Sequence, residues 1–189
     1  MVHVSFDLVE EFIPRVPAQR CPNEDDAIPR ICVAPDITSA LQAIPQAGEV
    51  INAMKELEMP IIIHAYYLKS NCVLLSEQIM DKVGDAIATG EMWIVEKPQS
   101  VYRVDYEIKN SLVIKAKDKY GTMAQFFIRG DMRRVQFQDN WKNLAERYSS
   151  GPAAAKWFIE NKPDISFRIF MSNLDDELYE AIRKFKRRK

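Results

Sequence analysis

Apolar and polar positions switch between a period of two and helical spacing along the first hundred residues. Residues 2–6 alternate β-branched or aromatic residues with polar ones, which predicts a strand. Pro14, Pro17, Pro22 and Pro29 then remove donors and fix φ across residues 13–30, where a string of turns is expected. A second short strand is predicted over 30–34. Asp36 suits the N-cap of a helix from Ile37, whose apolar positions Ile37, Ala40, Leu41 and Ile44 share one face before Pro45 ends it. A further helix over 48–57 carries Val50, Ile51, Met54 and Leu57 on one side.

Residues 59–68 read as a buried strand by length and β-branched content. Ser76 is expected to cap a helix with Ile79, Met80, Val83 and Ile87 facing inward and Gly90 ending it. Strands over 91–96 and 101–108 follow, read as partners across the turn at 97–100. In the second, Val104, Tyr106 and Ile108 alternate with Arg103, Asp105 and Glu107, as in a sheet wet on one face. Residues 112–114, 125–128 and 134–137 look like further strands. Beyond 140 the pattern predicts helices over 141–148 and 152–161, a strand over 165–170, and a last helix from Leu174. Trp141, Tyr148, Trp157 and Phe158 fall at helical spacings that suit a core. The expected class is α+β, with an α+β domain over 1–120 and a mainly helical C-terminal region over 121–189, the boundary soft.

Composition changes the picture little. With 26 Lys+Arg against 27 Asp+Glu, the net charge of −1 excludes a uniformly basic nucleic-acid binder. A hydrophobic share of 47% places the chain with globular proteins rather than disordered ones. Three cysteines without a CxxC pair give no disulfide framework, so a reducing cytoplasmic location is expected. The N-terminus lacks the basic and apolar regions of a signal peptide, and the apolar stretch at 60–68 is too short to span a bilayer. Two histidines and three scattered cysteines match no zinc spacing, so no metal is expected. Neither a Walker loop nor a GxGxxG or GxSxG motif occurs. A Ser/His/Asp triad, however, needs no proximity in sequence.

Candidate chemistry lies in three segments: His3 within Val2-His3-Val4-Ser5; Ile31-Cys32-Val33-Ala34 running into Ser39-Ala40; and Glu91-Met92-Trp93-Ile94-Val95 followed by Pro98-Gln99. Each alone suits ordinary packing. In order, they resemble the H-Y-E class of ADP-ribosyltransferases over residues 1 to about 110. That resemblance implies a split sheet flanked by helices, NAD as substrate, and transfer of ADP-ribose to a host macromolecule. It makes Glu91 the key acid, His3 a ribose ligand, and Ser5, Cys32 and Ser39 neighbours of NAD. A carboxylate beside the ribose would stabilise the oxocarbenium-like centre formed as the nicotinamide bond breaks. The sequence departs from the class where its stacking tyrosine stands, with Cys32 or Val33 there, and where Val4 replaces the glycine of the first motif. Trp93 or Tyr66 are the rings that could stand in for the tyrosine.

Arg15, Arg20 and Arg30 have two readings: ligands of the NAD pyrophosphate, or internal partners of Glu24, Asp25 and Asp26 that order the proline-rich loop. Residues 12–33 also resemble a group of small proteins from bacteria and their phages, which implies a host–phage or mobile-element setting. The alternative function is therefore a non-enzymatic binding protein that inhibits a host defence nucleoprotein, an anti-CRISPR-like role. The basic run Arg183, Lys184, Lys186, Arg187 and Arg188 either ends a docked helix, complementing its dipole, or contacts nucleic acid or a partner.

Overall fold

A computed structural model describes residues 1–17, 24–56, 60–118 and 121–136. Arg20, the expected elements beyond 140 and the basic run from Arg183 lie outside the described residues. Along the chain the elements are β1 (Val2–Ser5), β2 (Ile31–Val33), α1 (Ile37–Gln42), α2 (Ala47–Glu56), β3 (Ile61–Lys69), β4 (Val73–Leu74), α3 (Ser76–Ile79), α4 (Ala86–Thr89), β5 (Met92–Ile94), β6 (Ser100–Lys117) and β7 (Met123–Val135). They form an α+β arrangement of two antiparallel sheets, β1-β3-β6-β7 and β2-β5-β4, with a few short helices.

β3 is mostly apolar and buried from Ile61 to Tyr66 because both of its faces are covered there. Ile61, Ile63 and Ala65 join Val2, Val4 and residues of α1 and α2 in one core. On the opposite face Tyr66 and Leu68 pack against Ile31, Val33 and Ile94 of the second sheet. The other side of that small sheet turns Trp93 and Cys32 toward Ile79, Val83 and Ala86 of the α3–α4 region. The sheets meet at a corner where Val2 and Ala34 exchange backbone hydrogen bonds, both 2.9 Å long. Asp36 caps α1 as expected, accepting from the Ser39 N–H at 2.9 Å. α2 lies so close to β7 that a Cβ at Gly48 would stand 2.1 Å from the Gln125 carbonyl oxygen.

Several expectations are corrected by the packing. The single helix expected from Ser76 is two four-residue helices; Met80 and Ile87 are 57% and 56% exposed rather than inward. Gly84 interrupts the run, and the break lets Ile79, Val83 and Ala86 all reach Trp93. Leu75, not Ser76, occupies the N-cap position, and the Ser76 hydroxyl donates instead to the Glu91 carbonyl at 2.7 Å. Gly90 does close α4, with φ of 66°. β5 and β6 are not partners. Trp93 and Ile94 of β5 are both fully buried on opposite faces, a demand met between layers of the second sheet, while β6 pairs with β3 and β7. The separate strands expected at 101–108 and 112–114 are one strand, irregular between Lys109 and Val113, and residues 125–128 and 134–135 likewise belong to one. β6 and β7 pair along most of their length, and Phe127 of β7 is part of the core built on β1 and β3. Among the described residues no helix is long and apolar enough to cross a membrane.

Candidate active site

A cavity of about 890 Å³ opens between the end of β1, the segment 7–17, β2 and the C-terminal end of α1. His3, Ser5, Arg15, Arg30, Cys32 and Glu91 all line it. Ser39 does not. Its N–H and hydroxyl are both engaged by the Asp36 carboxylate, at 2.9 and 3.0 Å, so it serves the helix cap.

Strand geometry explains the convergence. Cys32 stands directly opposite Trp93 in the β2–β5 ladder, and Glu91, two residues before Trp93, takes the same face. The Glu91 carboxyl is buried and accepts a hydrogen bond from the Trp93 indole N–H at 2.7 Å. Burial holds that carboxyl above the ordinary glutamate range, opposed by hydrogen bonds from Trp93 and the Cys32 thiol. Burial, reinforced by the Glu91 charge, pushes the Cys32 thiol well up as well. The His3 ring sits edge-on to Phe12, with centroids 5.4 Å apart, and its Nδ1 is 2.8 Å from the Cys32 carbonyl oxygen.

Arg30 is 2% exposed and internally paired. Its guanidinium donates to Glu24 at 2.7 Å, lies 3.6 Å from Asp25, donates to the Ile28 carbonyl at 3.0 Å, and stacks 4.0 Å above the Trp93 ring. The internal-pairing reading thus holds for this arginine. Arg15, by contrast, is exposed, its backbone bridged to that of Arg30. The wall is acidic: Asp7, Glu10, Glu11, Glu24, Asp85 and Glu91 face only Arg15 and Arg30 among the described lining residues.

Neither ring expected to replace the missing tyrosine reaches the cavity. Trp93 is fully buried beneath Arg30, and Tyr66 is buried with its hydroxyl accepting from the Val9 N–H at 2.7 Å. The aromatic rings of the lining are Phe6 and Phe12.

A second constellation escapes the sequence reading. In register across three strands, Ser5 of β1 faces His64 of β3, which faces Asp105 of β6. His64 and Asp105 are both buried, and Nδ1 of His64 lies 2.7 Å from Oδ1 of Asp105. Arg103 Nε approaches the same carboxylate oxygen at 3.2 Å. Burial lowers the His64 pKa below the ordinary imidazole value, outweighing Asp105. The visible signals were a histidine inside an apolar strand and an acid in a neighbouring alternating one; only the pairing register joins them. Among the described residues no group of three or more His, Cys, Asp or Glu side chains could hold a metal ion.

Comparison with protein-family models, with curated proteins and with solved structures finds no match in any of the three.

Proposed function

We propose that the cavity binds NAD and that the protein cleaves the nicotinamide–ribosyl bond to transfer ADP-ribose to a host macromolecule, on a split-sheet scaffold of ADP-ribosyltransferase type. The observation that carries this reading is that His3, Cys32 and Glu91, from three separate segments, line one cavity. Bond cleavage leaves the electron pair with nicotinamide and positive charge on the ribose. An acidic wall formed by Glu91, Glu24 and Asp85 favours both the cationic nicotinamide ring and that developing charge. Fixing one Glu91 oxygen on the Trp93 indole holds the carboxylate in place before reaction. His3 is the ribose ligand, and Arg15, exposed at the wall, is the group for the pyrophosphate; Arg30 serves the scaffold. Release of nicotinamide from NAD, by wild type and by Glu91→Gln, tests the reading. The variant should lose on the order of 10²–10³-fold in rate. No release by wild type, with or without added target macromolecules, overturns it.

A second reading is favoured by one specific feature: the Glu91 carboxyl is already engaged by Trp93 and Cys32, and position 32 offers no ring. On that reading the protein acts by occluding a host defence nucleoprotein in the cytoplasm. A stoichiometric complex with such a target that survives both His3→Ala and Glu91→Gln supports it, and loss of the complex in either variant refutes it.

A further inference from the structure

We propose that Ser5, His64 and Asp105 form a nucleophilic site, in which the Ser5 hydroxyl attacks an ester-type carbonyl presented from the cavity. The inference is independent of the NAD reading and starts from the sheet register. In an antiparallel ladder, residues directly opposite each other share a face and have Cβ atoms about 4.5–5.5 Å apart. Ser5, His64 and Asp105 are such neighbours across β1, β3 and β6, so the three side chains form a row in that order.

Each member has the environment its role needs. Ser5 is the last residue of β1, half-buried, and lines the cavity, so its hydroxyl is both held by a sheet and accessible to a ligand. Its Oγ accepts from the Asp7 N–H at 3.0 Å, which uses a lone pair and leaves the O–H proton to be donated elsewhere. His64 lies behind it, away from solvent. The contact of Nδ1 with the Asp105 carboxylate at 2.7 Å selects the tautomer with the proton on Nδ1, which places the basic lone pair on Nε2. Burial disfavours the charged form of the ring. The charged groups facing it are Asp105 and Arg103 of β6 and Asp7 beyond β1. A merely structural row gains little from this chemistry, since an apolar triplet of similar volume would fill the same space without desolvating a carboxylate and an imidazole.

In the step proposed, a bond forms between Ser5 Oγ and the carbonyl carbon as the Oγ proton passes to His64 Nε2. The bond from that carbon to the alkoxide leaving group then breaks, and the leaving group takes the proton from the imidazolium. Water reverses the sequence and restores Ser5. Asp105 is a positioning residue, setting the tautomer and orientation of His64. The substrate class is a neutral or cationic ester small enough for the cavity, because the lining carries six carboxylates against two guanidiniums.

The test uses the full-length chain and a fluorophosphonate, whose P–F bond is replaced by a P–O bond to an activated serine. Intact mass and peptide mapping should show one adduct, on Ser5, and none in Ser5→Ala. Asp105→Asn should slow labelling by on the order of 10²–10⁴-fold. The wild-type labelling rate should rise with pH through one ionisation below the ordinary imidazole value of about 6.5, and Asp105→Asn should alter that profile. If Asp105→Asn fails to fold, the Ser5 map and the wild-type pH profile decide. Ser5 left unmodified under conditions that label a reference serine esterase overturns the proposal. So does a labelling rate with no ionisation, or one that a folded Asp105→Asn leaves unchanged.

Discussion

Replacing Arg30 by methionine separates an arginine that builds the scaffold from one that binds a ligand. The substitution keeps an apolar stem of similar length and removes a guanidinium that pairs with Glu24, contacts Asp25 and covers the Trp93 ring. Removing one member of a buried charge pair costs about 3–5 kcal/mol, because the other member stays desolvated without its partner. Here the side chains left behind are 12% and 15% exposed, so water recovers part of that loss. Arg30 Nε is buried without a hydrogen-bond partner, and its removal returns about 1 kcal/mol of desolvation. The expected net loss is about 2–4 kcal/mol, which with a urea slope of about 2 kcal/mol/M lowers the unfolding midpoint by about 1–2 M. Equilibrium urea unfolding, followed by Trp fluorescence and circular dichroism, measures it. Arg15→Ala, at an exposed position, should stay within about 0.5 kcal/mol of wild type while weakening NAD binding. An Arg30→Met protein within about 1 kcal/mol of wild type at unchanged slope would refute the assignment of Arg30 to the scaffold.

Burial raises the Glu91 pKa, so the native protein keeps that proton at pH values where the unfolded chain has lost it. The stability it contributes is full below the unfolded value near 4.5 and is lost as pH rises through the raised native value. Glu91→Gln should therefore gain stability relative to wild type as pH rises above 4.5, and a pH-independent difference in Tm would contradict this. His64 has the opposite sign: its lowered pKa makes the native state reject a proton that the unfolded chain accepts. Stability should fall as pH drops below 6.5 through the native value, with a flatter acid limb in His64→Gln, measured by thermal unfolding from pH 7 to 5. Of the two described cysteines, exposed Cys72 should be alkylated by iodoacetamide well before Cys32, whose thiol is held up by burial and Glu91; peptide mapping that finds Cys32 modified first contradicts the site geometry. Gly48→Val should cost more than about 2 kcal/mol, since even a Cβ meets the Gln125 backbone, and an unchanged urea midpoint would show that α2 does not press on β7.

What the amino-acid order determined by itself was local. A carboxylate before Ile37 caps a helix because the donor it satisfies is three residues away, and a glycine at 90 takes a left-handed conformation that side chains disfavour. β1, β2 and β3 were legible because alternation or uniform apolarity reports how many faces of a strand are covered. His3, Cys32 and Glu91 were singled out together by a family resemblance, and they line one cavity. Pairing and packing decided the rest. Nothing near residues 91–108 says that β5 joins β2 while β6 joins β3, because both choices leave the same alternation in the sequence. Met80 and Ile87 carried helical spacing yet face solvent, since a break at Gly84 better covers Trp93 than a continuous helix. Arg30 had two partners open to it until the fold stacked it on Trp93 beside Glu24. His64 and Asp105 read as an interruption and a wet-face acid. Their meeting, with Ser5 on the other side, depends on a register that sums contacts across the whole sheet, and a slip of one residue would turn all three to the opposite face.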